Sequence, residues 1–392
     1  MKHLLLNLHE VVIVLTILEA AILCVALGLL PRGGKESRRL QQCFFLLVIG
    51  TLTATLIIWN SSFQTMAIAQ STLLPALLSA CLLLQGPTLF FYLRSLSTKH
   101  PLLQWRETIH LLPALLAVGL IIIYDLSLHD WLPWHWASLS DEDGAALKFV
   151  WFLVKCSPLI YVLACFRAEY RLRQQLKQLY SSISEHELRL ADWVLGGFFI
   201  HWLWSFVAYF LGDYVSGETN DLLGILNNYL TVLLVNGLFL LGWRNTRALL
   251  QHDLVVVAAP EKDRLRDIPQ VSEKCEAVER GIHELQLHLD SHINLERFAE
   301  QMGLKPRELS TIINDHYQQN FFEFINAQRI EEAKRLLASP ASAGDTVLDI
   351  LYKSGFNSQS AFHRFFKRLT GTTPSEYRKR ALAQAQAAPS SC

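Results

Sequence analysis

Residues 346–371 read TVLDILYKSGFNSQSAFHRFFKRLTG, and the order of residue types spells two short helices with a sharp turn between them. Val347, Ile350 and Leu351 recur at helical spacing, and Asp345 or Thr346 stands where an N-cap belongs. Gly355 followed by Phe356 is a helix stop, a glycine for the left-handed position and then an apolar residue that folds back on the last turn. Ser358 caps a second helix that buries Phe362, Phe365 and Phe366 and leaves Gln359, Ser360, His363, Arg364, Lys367 and Arg368 outside. The same grammar stands upstream in NLERFAEQMGLKPRELSTIINDHY (294–317), with its glycine, Gly303, 52 residues before Gly355. There Asn294 is the cap, Leu295, Phe298, Ala299 and Met302 form the apolar stripe, and Gly303-Leu304 is the stop. Pro306 suits the first turn of the next helix. Leu309, Ile312 and Ile313 give that helix its buried side, and Arg307, Ser310, Thr311 and Asn314 point elsewhere.

Between the two units runs FFEFINAQRIEEAKRLLAS (321–339), with Phe321, Phe324, Ile325, Ile330, Ala333, Leu336 and Leu337 on one stripe. It reads as a connecting helix. A last short helix begins at Thr373-Pro374, a cap followed by proline at the first helical position. Two short helices joined by a glycine turn match the helix-turn-helix motif. Such a unit needs a second helix with a polar face slim enough for the major groove and cations for phosphate. Residues 276–380 hold 14 Lys/Arg against 14 Asp/Glu, yet residues 353–380 hold seven basic residues against Glu376 alone. The positive field is concentrated at the second unit.

At this point the chain resembles a known family. GFNSQSAFHRFFKRLTGTTPSEYR (355–378) is similar to the closing signature of the AraC/XylS regulators, and FFEFINAQRIEEAKRLL (321–337) is similar to their connecting helix. The resemblance implies an all-α, homeodomain-like double helix-turn-helix. Its two recognition helices would enter successive major grooves on one face of double-stranded DNA. Arg307, Ser310 and Thr311 would reach bases from the first unit, with Asn314 on the same side. Gln359, Ser360, His363 and Arg364 would do so from the second unit, while Lys367 and Arg368 would mainly hold phosphate. Two positions depart from the pattern. Leu351 replaces a small residue, and Lys305 stands where a capping Ser or Thr is common.

Upstream the solvent changes. The chain is 51% hydrophobic and 18% charged, with a formal net charge of zero, and nearly all the long apolar runs precede Trp243. Seven runs, roughly 10–30, 43–60, 71–94, 108–124, 146–166, 193–211 and 221–243, approach the ~20 helical residues that a bilayer core of about 30 Å requires. The intervening loops alternate. Residues 31–42, 94–107 and 167–189 are basic (Arg32, Lys35, Arg38, Arg39; Arg94, Lys99, Arg106; Arg167, Arg171, Arg173, Lys177, Arg189). Residues 60–70 carry no charge, and 125–145 and 212–221 carry acidic residues without Lys or Arg. Arg244 and Arg247 follow the last run. The positive-inside rule then predicts a multi-pass protein of the bacterial inner membrane, N-terminus outside and C-terminal domain in the cytoplasm. Trp59, Trp131, Trp134, Trp136, Trp193 and Trp243 stand near the expected span ends, where amphipathic rings settle. The segments LQGPTLFFYLRSL (84–96) and IHLLPALL (109–116) resemble the membrane half of a seven-span AraC/XylS subgroup. No cleavable leader is expected at the start, because Val11–Leu30 is long enough to span and lacks a basic leader and a small-residue cleavage site.

Glu19, Lys155 and His201 fall at membrane depth, where a charge costs roughly 2.5–3.5 kcal/mol on insertion scales. Each must pair, face the bundle interior or line a cavity, so these three are the candidate sensor residues for a small-molecule or membrane signal. Gly86-Pro87 inside an apolar run reads as a helix kink. The seven cysteines form no CxxC pair and read as small apolar filler rather than metal ligands or disulfides.

The expected organisation is a seven-transmembrane-helix bundle over residues 1–243, a linker at 244–275, the double helix-turn-helix domain at 276–380 and a disordered tail at 381–392. The expected function is transcription regulation, as an activator or a repressor, by a DNA-binding and signal-sensing membrane protein. A homodimer would double the phosphate contacts. A rival is a transporter or membrane enzyme with a regulatory helix-turn-helix appendage, and another is an inert anchor. The chain has no GxxxxGK[ST], no HExxH and no internal inverted repeat, so no catalytic residue, metal or cofactor is expected.

Overall fold

The computed structural model describes residues 6–29, 35–60, 62–63, 71–95, 105–131, 139–182, 185–211, 214, 217–251 and 270–387. The chain divides into two compact units. One holds Met1–Leu172 with Glu185–Val256, and the other holds Arg173–Ser184 with Val257–Cys392. Regular structure is helical throughout the described residues, apart from an isolated bridge between Tyr180 and Asn294.

The first unit contains α1 (Leu8–Leu29), α2 (Lys35–Trp59), α3 (Leu73–Ser95), α4 (Leu112–Ile123, entered through a 3-10 turn from Trp105), the short α5 (Leu128–Trp131), α6 (Asp141–Leu179) as far as Leu172, α7 (Glu185–Leu211) and α8 (Gly217–Gln251). Seven of its described helices, α4 counted with its 3-10 turn, are long and apolar enough to cross a membrane. The start of α1 is fixed by a reciprocal cap, in which Asn7 Oδ1 accepts from the Glu10 N–H and Glu10 Oε2 accepts from the Asn7 N–H, both at 2.8 Å. One apolar cluster joins Phe44, Phe45 and Val48 to Leu89, Tyr92, Phe198, Trp202, Val235 and Leu238. A second joins Ala54 and Ile58 to Leu74, Leu83, Ala117, Ile121, Leu147 and Val150. Two buried amides tie the helices: Gln41 Nε2 donates to the Leu238 carbonyl at 2.7 Å, and Gln85 Nε2 to Thr51 Oγ1 at 2.9 Å.

Helix α3 is the most enclosed, with 67% of its most apolar window buried against 17–33% in the other six. The outward faces of those six carry exposed Leu15, Leu18, Ile22, Val25, Leu46, Ile122, Ile123, Ile160, Leu163, Ile200 and Leu233. Apolar surface of this extent marks a membrane or a protein partner rather than water. Pro87 remains inside α3, so the expected kink does not interrupt the helix. Gly86 marks a close crossing there, since an added Cβ would lie 2.9 Å from the Tyr161 Cβ. Trp59 is exposed at the end of α2, and Trp193 is exposed near the start of the apolar stretch of α7, as interface rings would be, whereas Trp131 is buried against Trp151 at a 4.7 Å ring separation. Trp134 and Trp136, and the side chain of Trp243, lie outside the described residues.

The second unit contains α9 (Val271–His283), α10 (Leu295–Gln301), α11 (Pro306–Asp315), α12 (Phe321–Ala338), α13 (Val347–Lys353), α14 (Gln359–Thr370) and α15 (Pro374–Ala387), together with the end of α6. Helix α8 runs to Gln251 and α9 starts at Val271, both inside the expected linker, while 252–269 lie outside the described residues. Helix α15 continues to Ala387, into the stretch expected as tail, and 388–392 lie outside the described residues.

The local signals read from the sequence are realised in detail. Asn294 accepts from the Arg297 N–H at 2.8 Å. Thr346 and Asp349 form a capping box, with the Asp349 carboxylate accepting the Thr346 N–H at 2.8 Å. At Lys305 the ammonium has no lone pair to offer, and Glu308 alone reaches back to the Lys305 N–H at 3.3 Å. Gly303 (φ 66°) and Gly355 (φ 85°) both adopt the left-handed conformation. After each, the next amide closes the turn, Leu304 onto the Ala299 carbonyl and Phe356 onto the Leu351 carbonyl, at 2.9 and 3.1 Å.

Each helix-turn-helix has its own core. Val278, Ile293, Leu295, Phe298, Leu309, Ile312 and Ile313 close around Phe321, Phe324 and Ile325 from the first half of α12. Ile350, Leu351, Phe356, Phe362, Phe365 and Phe366 close around Ile330, Ala333 and Leu337 from its second half. Leu351, large where a small residue is usual, is fully accommodated in that second core. Truncating a buried aromatic such as Phe298 or Phe362 to alanine would cost about 3–5 kcal/mol.

Candidate nucleic-acid interface

Helix α14 owes its orientation to three phenylalanines on one side. Phe362, Phe365 and Phe366 are buried, which turns the remaining side chains outward. Gln359, Ser360, Arg364, Lys367 and Arg368 are exposed, and His363 is half-buried. Ser360 Oγ lies 3.2 Å from the capping Ser358 Oγ. The guanidinium of Arg368 stacks over the Phe365 ring at 4.6 Å, with Glu323 3.7 Å away, and that of Arg364 lies 5.8 Å from the same ring. Burial, and to a lesser degree the neighbouring Arg368, push the Arg364 guanidinium below its usual range. The arrangement is a polar and cationic row on a rigid helix, the chemistry needed to accept base edges and phosphate.

Helix α11 is built alike and presents a different surface. Leu309, Ile312 and Ile313 are buried in the first core. Arg307 is exposed and Asn314 half-buried. Ser310 and Thr311, which helical spacing places away from that core, are only 6% and 7% exposed. Thr311 Oγ1 donates to the Arg307 carbonyl at 3.0 Å, and Asn314 Nδ2 lies 3.3 Å from Ser310 Oγ. The same Asn314 amide donates to Gln178 Oε1 at 3.1 Å. Gln178 belongs to a stretch read from sequence as a loop and found as the end of α6.

The joint between the cores is polar and buried. Arg329 on α12 is 1% exposed. Its guanidinium donates to the carbonyls of His288 (2.7 Å), Asp290 (2.8 Å) and Ser181 (3.4 Å), to Ser181 Oγ (3.1 Å) and to Asn326 Oδ1 (3.3 Å). Burial pulls this guanidinium down to about 10, still charged at neutral pH. The His288 side chain is buried beside it, and burial lowers its imidazole to about 4. Neither residue, nor the end of α6, carries a spacing signal in the sequence.

Among the candidate sensor residues, Lys155 and His201 come together, and among the described residues no hydrogen bond or ion pair joins Glu19 to them. Lys155 Nζ donates to Ser205 Oγ at 2.8 Å and lies 5.0 and 5.9 Å from the rings of Trp151 and Tyr209. His201 stands one turn before Ser205 on α7, and its Nδ1 is buried with no hydrogen-bond partner among the described residues. Glu19 is half-buried on α1, which packs against α2 and α8. No cluster of three or more His, Cys, Asp or Glu able to hold a metal occurs among the described residues.

Comparison with known proteins agrees with this geometry over the second unit. A family model described as a helix-turn-helix domain matches residues 298–380. An uncharacterized HTH-type transcriptional regulator of Staphylococcus aureus (strain COL) is 33% identical over 94 residues, which are 24% of this chain and 12% of that protein. The uncharacterized HTH-type transcriptional regulator YtdP of Bacillus subtilis (strain 168) is 32% identical over 98 residues, 25% of this chain and 12% of its own length. The chain thus spans about an eighth of the curated relatives it matches. No solved structure gives a significant match. The C-terminal part of the chain is a helix-turn-helix domain of the AraC type.

Proposed function

We propose that the protein is a membrane-tethered, sequence-specific DNA-binding regulator of transcription whose spans sense a signal. The observation that carries the DNA-binding reading is the exposed row Gln359, Ser360, Arg364, Lys367 and Arg368, held rigidly by three buried phenylalanines. In this reading Gln359, Ser360, His363 and Arg364 contact base edges, and Lys367 and Arg368 hold phosphate. Arg307, Ser310, Thr311 and Asn314 form the corresponding set of the first head. The lipid bilayer takes up the apolar outer faces of the seven long helices, with the C-terminal domain in the cytoplasm of a bacterial cell. Lys155, His201 and Glu19 are the groups through which the spans would respond to a small-molecule or membrane signal, and a homodimer would raise avidity.

Genome-wide capture of DNA on the tagged full-length protein tests the reading. The expected result is a small set of promoter sites lost in Arg364→Ala. Capture without site preference, or unchanged by Arg364→Ala, contradicts it.

A further inference from the structure

Residues 171–182, RLRQQLKQLYSS, are rich in helix formers and basic, with Arg171, Arg173 and Lys177. The structure carries α6 through them to Leu179 and seats its end on the first head. Leu179 packs against the first core. Gln178 accepts from Asn314, Ser181 Oγ donates to the Ile293 carbonyl at 2.6 Å, and Ser182 Oγ donates to the Ser291 carbonyl at 3.1 Å. From the other side Asn326 Nδ2 donates to the Ser181 carbonyl at 2.8 Å, and Arg329 holds the Ser181 hydroxyl. Tyr180 pairs with Asn294, and burial together with nearby Glu296 pushes its phenol up. The charges match. Between Asn294 and Asn320 the first head has four acidic residues (Glu296, Glu300, Glu308, Asp315) against three basic ones (Arg297, Lys305, Arg307). The side of α11 that would enter a groove is where Ser310 and Thr311 are buried and where the Asn314 amide is already engaged.

We propose that residues 173–182 occupy the groove-reading face of the first head and compete there with DNA. The proposal rests on the DNA-binding reading above. The Asn314 amide cannot serve both Gln178 and a base edge. With the segment seated, the protein reads DNA through the second head alone. Its release admits the first head to the adjacent groove. Because α6 is one helix from Asp141 to Leu179, a rotation or shift of the expected fifth span has a covalent route to Gln178.

The test uses the full chain in lipid nanodiscs and duplexes selected by that chain from a random library. Wild type is compared with Gln178→Ala/Ser181→Ala/Ser182→Ala, which alters neither reading helix. The expected result is at least about a tenfold tighter Kd, the gain when a competent state of ~10% population or less becomes dominant. The hydroxyl-radical footprint should lengthen by about one helical turn. An unchanged Kd, with a wild-type footprint already covering both grooves, overturns the proposal. A wild type that prefers no duplex overturns the regulator reading itself. Hydrogen exchange of the α12 amides reports whether the triple variant is folded. A second variant decides independently of it. Gln178→Cys/Asn314→Cys, in a background without the native cysteines, is joined by a short cleavable thiol crosslinker. Locked protein should give only the short footprint and cleaved protein the long one, and equal footprints overturn the proposal.

Discussion

Between Asn294 and Asn320 the first head carries more acid than base and buries Ser310 and Thr311. Between Lys353 and Arg380 the second carries seven basic residues against one acidic and keeps Gln359, Ser360 and Arg364 in the open. Their backbones follow one plan of cap, short helix, left-handed glycine and second helix, and each leans on one half of α12. The shared plan thus sets where a recognition helix stands, while a side chain on its outer face, Asn314, is engaged by Gln178, more than a hundred residues away in sequence.

The glycines offer the sharpest break between the heads. At Gly355 an added Cβ would lie 2.6 Å from the His288 carbonyl oxygen and 2.8 Å from the Leu289 Cα, whereas at Gly303 nothing lies within 4 Å. Both positions have positive φ, which costs an alanine roughly 1–2 kcal/mol. Gly303→Ala should therefore lose about that much stability. Gly355→Ala should lose upward of about 3 kcal/mol, because backbone must move as well. Thermal unfolding followed by hydrogen exchange over α10–α14 would check this, and equal losses would show that the two turns are not packed differently.

The next effect is pH. Unfolded histidine titrates near 6.5, and burial holds His288 at about 4 when folded. Between those values the unfolded chain binds a proton that the folded one does not. The His288 contribution is therefore complete above pH 6.5 and is lost as pH falls toward 4. At pH 4.5 the loss should be roughly 2–3 kcal/mol relative to pH 7.5. The difference between wild type and His288→Gln isolates it, and parallel pH profiles for the two would contradict the assignment.

Binding separates the heads next. Arg364→Ala should weaken specific DNA binding about 10- to 100-fold, the range for a base-contacting arginine. Arg307→Ala in the full chain should change it less than about threefold while residues 173–182 stay seated. Comparable losses would mean that both heads read DNA at the outset. The smallest effect is that of Lys367→Ala. It should lower affinity for all duplexes alike and reduce the salt dependence by about one phosphate contact. A change confined to one sequence would instead make Lys367 a base reader.

Much of this was legible from residues alone. Gly303, Gly355, Asn294, Thr346, Ser358 and Pro306 act locally, through backbone conformation and caps that depend on neighbours three or four positions away, so their spacing carries the information. The apolar stripes of α10–α14 are equally local. The end of α6 was not legible. Arg171 to Tyr180 read as a basic loop because positive charge after a span says which side of the membrane is reached, not where the helix stops. Gln178 with Asn314, and Ser181 with Arg329, are single polar contacts across long stretches of sequence, and no periodicity encodes them. Spacing put Ser310 and Thr311 off the apolar stripe of α11, yet both are buried, since a position outside the stripe is not thereby exposed.

The contrast between the heads can be measured without knowing the DNA target. Ser310→Cys and Ser360→Cys, each as the sole cysteine of the full chain in inside-out membrane vesicles, are labelled with a membrane-impermeant maleimide. Labelling should be rapid at position 360, and slow at 310 until Gln178, Ser181 and Ser182 are replaced by alanine. Equal rates at the two positions in the otherwise unaltered chain would contradict it.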